Sequence, residues 1–223
     1  MIVADRKPFD EIMEILKPYT KILLLACNEC VTVCSAGGKK EIEVLASEIR
    51  LARAKEGIPV EINEHTLERQ CDPEYAAEIK AFVNDYDVVM SMACGCGVQT
   101  VAEHYRDKYV VPAVNTTFLG SSLEQGVWKE MCQGCGNCVL DRTLGLCPVA
   151  RCAKSLFNGP CGGSQPGGSC EINKDTPCVW QLIVQKMKDL NMLHKYMEIQ
   201  PTKNWSSSRD GGPRKRVRED LKV

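Results

Sequence analysis

The chain has 223 residues, of which 44% are hydrophobic and 26% are charged, a balance typical of a globular protein with one large domain or one domain and a smaller appendage. The formal net charge of -1 disfavours a general nucleic-acid binder, because such proteins displace counterions with a basic surface. No apolar stretch is long enough for a membrane-spanning helix and the first residues lack a secretory signal pattern, so we expect a cytoplasmic protein.

The first half of the chain alternates short apolar runs with amphipathic segments. The apolar runs predict four strands, at residues 22–26, 59–62, 88–92 and 110–114. The amphipathic segments predict helices near residues 9–16, 41–54, 73–83 and 98–105. Because short apolar strands separated by helices are typical of a parallel sheet covered on both faces, we predict a Rossmann- or flavodoxin-like α/β domain over residues 1–115.

The second half of the chain differs in composition and lacks this alternation of apolar and amphipathic segments. Residues 116–178 contain eight cysteines and many glycines with little periodicity, which predicts a small cysteine-rich metal-binding module. An apolar stripe at helical spacing predicts a terminal helix over 179–193, so we extend this module to residues 116–200. Residues 201–223 are polar and rich in basic side chains, and we expect a disordered tail there.

The cysteine count is the most unusual feature of the composition. Fourteen cysteines occur, several of them in close Cys-x-x-Cys pairs, and no secretory signal precedes them. Disulfides are typical of secreted proteins, so metal ligation by reduced thiolates is the favoured interpretation.

One group of cysteines follows the predicted strands of the α/β domain. Cys27, Cys30 and Cys34 come directly after the first strand, and Cys94 and Cys96 follow the third. The carboxyl ends of parallel strands meet at one edge, so three thiolates from one loop and one from the other can complete a [4Fe–4S] site. Helix N-termini and glycines follow both segments, which suits an anionic cluster. Cys71, which follows the second strand at a distance, is not needed for this set.

Eight more cysteines lie in the second half. Cys132, Cys135 and Cys138 form a Cys-x-x-Cys-x-x-Cys run, a strong iron–sulfur pattern, and Cys147 precedes a proline as in ferredoxins. The remaining four suit a structural zinc site or a further cluster: Cys152, Cys161, Cys170 and Cys178. Spacing alone does not decide how the eight divide, and disulfides among the last four are the alternative.

Several motifs resemble the methylenetetrahydrofolate reductase C-terminal family. They are CGNCVL, TLGLCPVARCAKSLFNGPCGGS, GGSCEIN and PCVWQLIVQKMKDL in the second half, and CNECVTVCSAGG, ACGCGVQT and PAVNTTFLG in the first. The chain is similar to the stand-alone iron–sulfur small subunits (MetV-type) of acetogen-type methylenetetrahydrofolate reductases. In that family a TIM-barrel subunit carries FMN and the folate site, whereas the small subunit carries clusters that feed the flavin.

The resemblance implies roles for particular cysteines. It matches Cys27, Cys30, Cys34 and Cys94 to one cluster, and Cys132, Cys135, Cys138 and Cys147 to a second, with a third site of zinc or iron–sulfur from the last four cysteines. Cys96 occupies a small-residue position of the family motif, and Cys71 lies outside the motifs.

The function that follows is electron transfer within a methylenetetrahydrofolate reductase complex. We expect an FMN-bearing catalytic partner, a ferredoxin or a further subunit as electron donor, and no catalysis by this chain alone. Two alternatives are a zinc-organised scaffold without a redox role, and a zinc module that binds nucleic acid through the basic tail, which the net charge disfavours.

Overall fold

The computed structural model describes residues 1–222, which form strands and helices in alternation over the first half of the chain. The strands are β1 (Ile2–Arg6), β2 (Lys21–Cys27), β3 (Glu61–Leu67), β4 (Val88–Ser91), β5 (Tyr109–Pro112), β6 (Val114–Glu124) and β7 (Val127–Cys132). The α-helices are α1 (Phe9–Leu16), α2 (Cys30–Val33), α3 (Lys39–Glu56), α4 (Pro73–Ala76), α5 (Gly95–His104), α6 (Pro148–Arg151) and α7 (Val179–Asp189).

A four-stranded parallel sheet forms the centre of the first half, which confirms the predicted α/β class. Its strand order is β3-β2-β4-β5, and all three pairings are parallel. In order of appearance these strands run 2-1-3-4, which is the flavodoxin-like arrangement. The chain therefore turns to opposite sides after β2 and after β4.

Both faces of this sheet are buried. Along β2, Ile22 and Leu24 pack with the core under α1 and α3, whereas Leu23 and Leu25 pack with the core under α5. All four side chains are fully buried. Because both faces of the strand are apolar, its sequence is a continuous hydrophobic run.

A second, antiparallel sheet was not predicted from the sequence. Its order is β1-β6-β7, and β1 pairs with β6 from Ile2 opposite Leu119 to Arg6 opposite Val114. The apolar run at residues 110–114 therefore divides between the end of β5 and the start of β6. β1 carries only a short apolar stretch, and β6 is mostly polar, with neither a continuous apolar run nor a regular alternation, so neither has the pattern that predicts a strand.

Two predicted helices are shorter than expected. The segment after Pro73 leaves the α-helix at Ala76 and continues as 3₁₀ turns at Ala77–Ala81 and Val83–Asp85. The hydroxyl of Tyr105 donates a hydrogen bond to the Ala76 carbonyl at 2.7 Å, an acceptor that a continuing α-helix would use. The last helix, α7, ends at Asp189.

The chain divides into two compact units, Met1–Lys129 and Glu130–Val223, later than the predicted boundary at residue 115. The difference arises because β6 pairs with β1, which keeps the segment after residue 115 with the first unit. In the second unit, a buried cluster of Val179, Trp180, Ile183 and Met187 lies along α7.

The end of the chain, where the sequence predicts a disordered tail, is described as far as residue 222. It forms 3₁₀ turns at Trp205–Ser207, Arg209–Gly211 and Glu219–Leu221. Lys203 and Ser208 are buried, with 6% and 5% of their surface exposed. Over residues 1–222 no helix combines the length and the apolar character needed to cross a membrane.

Candidate metal centres

The first candidate site lies at the carboxyl edge of the parallel sheet. Cys27 ends β2, and Cys94 caps the N-terminus of α5 directly after β4. β2 and β4 are neighbours in the sheet, with Leu25 paired to Ser91 at this end. Since the chain turns in opposite directions after these two strands, the cysteines lie at the switch point where open α/β sheets bind ligands.

Two glycines let the cysteine-bearing segments come close to the sheet. A side chain at Gly37 would collide with the backbone of Met92, which follows β4. A side chain at Gly97 would collide with Ala93 and with Gln70, which follows β3. The glycines that the sequence places beside each cysteine pair therefore have a packing role in this edge of the sheet.

Gln70 ties the strand ends together, and the sequence analysis did not identify it. Its side chain is fully buried. The amide nitrogen donates to the carbonyls of Leu25 at 3.0 Å and Ala26 at 2.9 Å, and the amide oxygen accepts from the Ser91 hydroxyl at 2.6 Å. One side chain thus links the loop after β3 to the ends of both β2 and β4.

Five thiols are near enough at this edge to influence one another electrostatically: Cys27, Cys30, Cys71, Cys94 and Cys96. Cys27, Cys30 and Cys94 are predicted ligands, whereas the resemblance gives no ligand role to Cys71 or Cys96.

Burial is the largest effect on the Cys27 thiol, and it raises the pKa. Backbone hydrogen bonds from Gln70 and Glu29 lower this pKa, whereas the charges of Cys94 and Cys30 raise it further. The pKa of Cys71 and of Cys96 is raised in the same way, first by burial and then by the charge of Cys94. These raised values mean that the thiols resist ionising side by side without a cation. A bound metal supplies that positive charge and takes the place of the protons.

Cys34 is the predicted ligand that the structure does not bring into this group. Its thiol is buried and contacts the carbonyls of Ala4 at 3.5 Å and Val31 at 3.6 Å. Ala4 belongs to β1, the strand that the sequence analysis did not predict. To join the other thiols, the Cys34 side chain must turn away from β1.

In the second unit, the Cys132–Cys138 run forms a loop with two left-handed glycines. Gly134 has φ of 60° and Gly136 has φ of 79°, a region that residues with a side chain rarely adopt. The Gly134 amide donates to the Cys132 sulfur at 3.3 Å. Backbone amides that point at sulfur are the donors that stabilise thiolates in iron–sulfur sites. Cys147, the fourth predicted ligand, directly precedes α6.

The C-terminal segment lies against this loop. Three of its side chains donate to loop carbonyls: Lys203 Nζ to Asn137 at 2.5 Å, Ser207 Oγ to Cys135 at 3.0 Å, and Arg214 Nη1 to Gly134 at 2.5 Å. A side chain at Gly136 would collide with the Ser207 backbone, so the contact requires glycine. Two cations and a hydroxyl therefore hold the backbone around three cysteines.

The last four cysteines share one small cavity. Cys152, Cys161, Cys170 and Cys178 all line it, together with Arg151, Lys154 and Glu171. Glu171 forms an ion pair with Lys154 and accepts a hydrogen bond from the Cys161 thiol at 3.4 Å. Backbone hydrogen bonds from Asn173 and Ile172 lower the pKa of Cys170.

Across residues 1–222, no three Cys, His, Asp or Glu side chains already stand close enough together to hold a single metal ion. A four-iron cluster separates its thiolates more widely than one ion does, because each thiolate binds a different iron. The donor chemistry at the sheet edge and in the Cys132–Cys138 loop fits such clusters, since both offer several thiols and nearby backbone amides. In either case metal binding requires the thiol side chains to converge.

The comparisons with known proteins bear on the second half of the chain. Neither the curated proteins nor the solved structures that were searched gave a match. Residues 111–206, somewhat under half of the chain, match the model of the family described as methylene-tetrahydrofolate reductase C terminal. The match extends through the predicted second cluster, the four-cysteine cavity and the first residues of the C-terminal segment, and it relates this chain to methylenetetrahydrofolate reductase.

Proposed function

We propose that this chain is the electron-transfer iron–sulfur subunit of a methylenetetrahydrofolate reductase complex. The observation that carries the proposal is the gathering of thiols from the loops after β2, β3 and β4 at the switch point of the sheet. The family match supports the link to this reductase. Thiolate clusters supply one-electron transfer when bound.

Two sets of cysteines would hold the clusters. At the sheet edge, Cys27, Cys30 and Cys94 are the proposed ligands, with Cys34 as the fourth after it turns from β1. In the second unit, the proposed ligands are Cys132, Cys135, Cys138 and Cys147.

The chemistry of the reaction implies a flavin-bearing partner. Conversion of a methylene to a methyl group needs two electrons and a proton, whereas such clusters move single electrons. A flavin is the usual converter between one- and two-electron steps. The chain has no G-x-G-x-x-G segment after β2 to hold a dinucleotide phosphate. We therefore assign the FMN and the folate site to a barrel-type catalytic subunit, with a ferredoxin or another subunit as electron donor.

A second candidate function is a zinc-organised structural subunit without a redox role. The small size of the four-cysteine cavity is the observation in its favour, because structural zinc sites are closed and compact. The two functions differ in whether the chain carries iron and acid-labile sulfide.

The test combines cofactor analysis with reconstitution. The anaerobically purified chain should contain iron and sulfide, absorb broadly in the visible range, and give an EPR signal after reduction with dithionite. Alone it should not oxidise reduced dye in the presence of methylenetetrahydrofolate, and it should support that reaction when mixed with an FMN-bearing barrel subunit. A colourless chain that contains only zinc would establish the structural function, and turnover by the isolated chain would exclude the relay.

Single substitutions test the ligand set at the sheet edge. Cys94→Ser should lose the iron of one cluster, whereas Cys96→Ser, on the same helix, should retain it. Cys34→Ser and Cys71→Ser decide the fourth position, since only the ligand variant should lose iron. Loss with Cys71→Ser and retention with Cys34→Ser would replace Cys34 by Cys71 in the proposed set.

A further inference from the structure

We propose that an exposed basic face beside the Cys132–Cys138 loop is the docking surface for a small acidic electron-transfer protein of the ferredoxin kind. The basic face consists of Arg209, Arg214, Lys215 and Arg216. This inference rests on the proposed function and deepens it, because it names the chemical character of the electron donor and the place where the donor binds. The basic face lies beyond residue 206, where the family match ends, so the match assigns it no role.

The two units of the chain carry opposite net charges, which the overall value of -1 conceals. The first unit has 14 basic and 20 acidic side chains, a formal net charge of -6. The second unit has 14 basic and 9 acidic side chains, a formal net charge of +5. This asymmetry attracts an acidic protein to the second unit and repels it from the first, because the summed field of a protein steers a charged partner before contact.

The side chains of the basic face are available to an acidic partner. All four are exposed, and none of them forms an ion pair with another residue in the range 1–222. The two basic side chains that follow are neutralised locally, because Arg218 pairs with Asp220 and Lys222 pairs with Glu219. The uncompensated positive charge at the end of the chain is therefore concentrated in the basic face.

The basic face is held next to the proposed second cluster. Arg214 Nη1 donates to the Gly134 carbonyl at 2.5 Å and to the Ser207 carbonyl at 3.0 Å. Both acceptors are neutral, so these bonds position the guanidinium and leave its charge uncompensated. Cys132 and Cys138 of the same loop are exposed, so a redox centre held there would lie close to the protein surface. A donor bound to the basic face would therefore be close to that centre.

The chemistry of the transfer explains why this surface is basic. A cluster with four thiolate ligands is anionic and would repel an acidic donor at close range. The cations of the basic face supply the opposing attraction, and they orient the donor on the loop. The reduced donor loses one electron, which the centre in the loop gains, and no covalent bond forms or breaks.

Nucleic acid is the other class of partner that basic side chains bind, and the charge distribution disfavours it. A duplex carries negative charge along its whole length, so its binding needs a basic surface that extends beyond four side chains. The first unit, with its net charge of -6, opposes such binding. Complexes between electron-transfer proteins have small interfaces, which a compact basic face can supply.

The experiment measures the affinity of a purified acidic bacterial ferredoxin for the full-length chain, both prepared anaerobically. At about 0.1 M salt, where charges act over about 10 Å, Lys215→Glu/Arg216→Glu should bind the ferredoxin about tenfold more weakly than the wild-type chain. At about 1 M salt, which shortens that range to about 3 Å, the two chains should bind equally weakly. Both side chains are exposed, so the variant should keep the melting temperature and iron content of the wild-type chain.

Lys39→Glu/Lys40→Glu is the matched control, because it makes the same change in net charge at two adjacent exposed lysines of the first unit. It should change the affinity for ferredoxin by less than about twofold. The rate at which reduced ferredoxin bleaches the visible absorption of the chain should fall in the Lys215→Glu/Arg216→Glu variant and stay unchanged in the control.

Equal affinity of the wild-type chain and the Lys215→Glu/Arg216→Glu variant at the lower salt concentration, or a larger loss in the control, would overturn the inference. Tighter binding of duplex DNA than of ferredoxin, or self-association that this variant abolishes, would assign the basic face to another partner and overturn it as well. A chain that carries iron and supports the reductase reaction without binding ferredoxin would reject this inference and keep the proposed function. A chain that binds ferredoxin through the basic face but carries no iron–sulfur centre would reject the proposed function and leave the docking surface standing.

Discussion

The two cysteine-bearing units place their thiols by different means. In the first unit, the cysteines sit at the ends of strands and the beginnings of helices, and two apolar cores on either side of the sheet fix those elements. In the second unit, most cysteines lie in loops, and the buried apolar cluster is four residues along one helix. An apolar scaffold can stand without metal, whereas a loop-rich unit with so small a core needs crosslinks to fold.

Metal removal should give the largest difference between the units. If the second unit binds metal as proposed, we expect a strong chelator under reducing, anaerobic conditions to unfold residues 130–222 and to leave the parallel sheet folded, because the sheet has apolar cores on both faces and the second unit has only a small one. Hydrogen–deuterium exchange should show lost amide protection in α7 and retained protection in β2 and β4. Retained protection in α7 after complete metal loss would show that the second unit folds on its own apolar contacts.

The same difference explains how far sequence patterns predict this molecule. The helix over residues 9–16 and the strand around residues 22–26 follow from spacing and apolar content, and both occur in the structure. The closeness of Cys27 to Cys94 follows once the strands are known to be parallel, since parallel strands share their carboxyl edge. These features depend on periodicity, which sequence records directly.

Other features depend on contacts between distant residues. Gln70 is an ordinary polar residue until three strand ends surround it, so its role has no local signal. Lys203 is typical of a solvated tail by composition, and its burial depends on the carbonyl of Asn137, 66 residues away. The glycines at Gly37 and Gly97 were expected to serve an anionic cluster, and the structure adds that they are required for packing against Met92 and Gln70.

Removal of the Gln70 side-chain amide should destabilise the first unit by several kcal/mol. Gln70→Leu deletes three buried hydrogen bonds, and each such bond contributes about 0.5–1.5 kcal/mol. Chemical denaturation followed by a probe of the sheet should measure the loss. Gln99→Leu is the control, because Gln99 is exposed on α5 and its substitution should change stability by less than about 0.5 kcal/mol. Equal stability of the two variants would show that the Gln70 hydrogen bonds do not stabilise the first unit.

Truncation of the C-terminal segment should have an intermediate effect, confined to the second unit. A chain that ends at Gln200 loses the hydrogen bonds from Lys203, Ser207 and Arg214. The bond from the buried Lys203 contributes about 1.5–3 kcal/mol, whereas the bond from the exposed Arg214 contributes less because solvent screens it. We expect a lower melting temperature and a loss of iron from the Cys132–Cys138 loop. A chain that ends at Lys215 keeps all three donors and should match the full-length chain. If both truncated chains match it, the segment has no part in the metal centre.

The smallest predicted effect comes from alanine substitution at two glycines with positive φ, one in each unit. Gly57, which ends α3, and Gly162, which follows Cys161, both have positive φ, of 71° and 82°, and neither has an atom within 4 Å of an added Cβ. Alanine at either position therefore adds backbone strain of about 1–2 kcal/mol without a steric clash. In the first unit, Gly57→Ala should lower the free energy of unfolding by that amount and leave metal content unchanged. In the second unit, the proposed metal would couple binding to folding, so Gly162→Ala should increase the rate of metal release to a chelator about tenfold, since 1.4 kcal/mol corresponds to a factor of ten. For both variants we would measure the rate of metal release and the free energy of unfolding. The two measurements separate a loss of stability from a loss of metal. A change in metal release with Gly57→Ala, or none with Gly162→Ala, would contradict the view that the second unit needs metal to fold whereas the first does not.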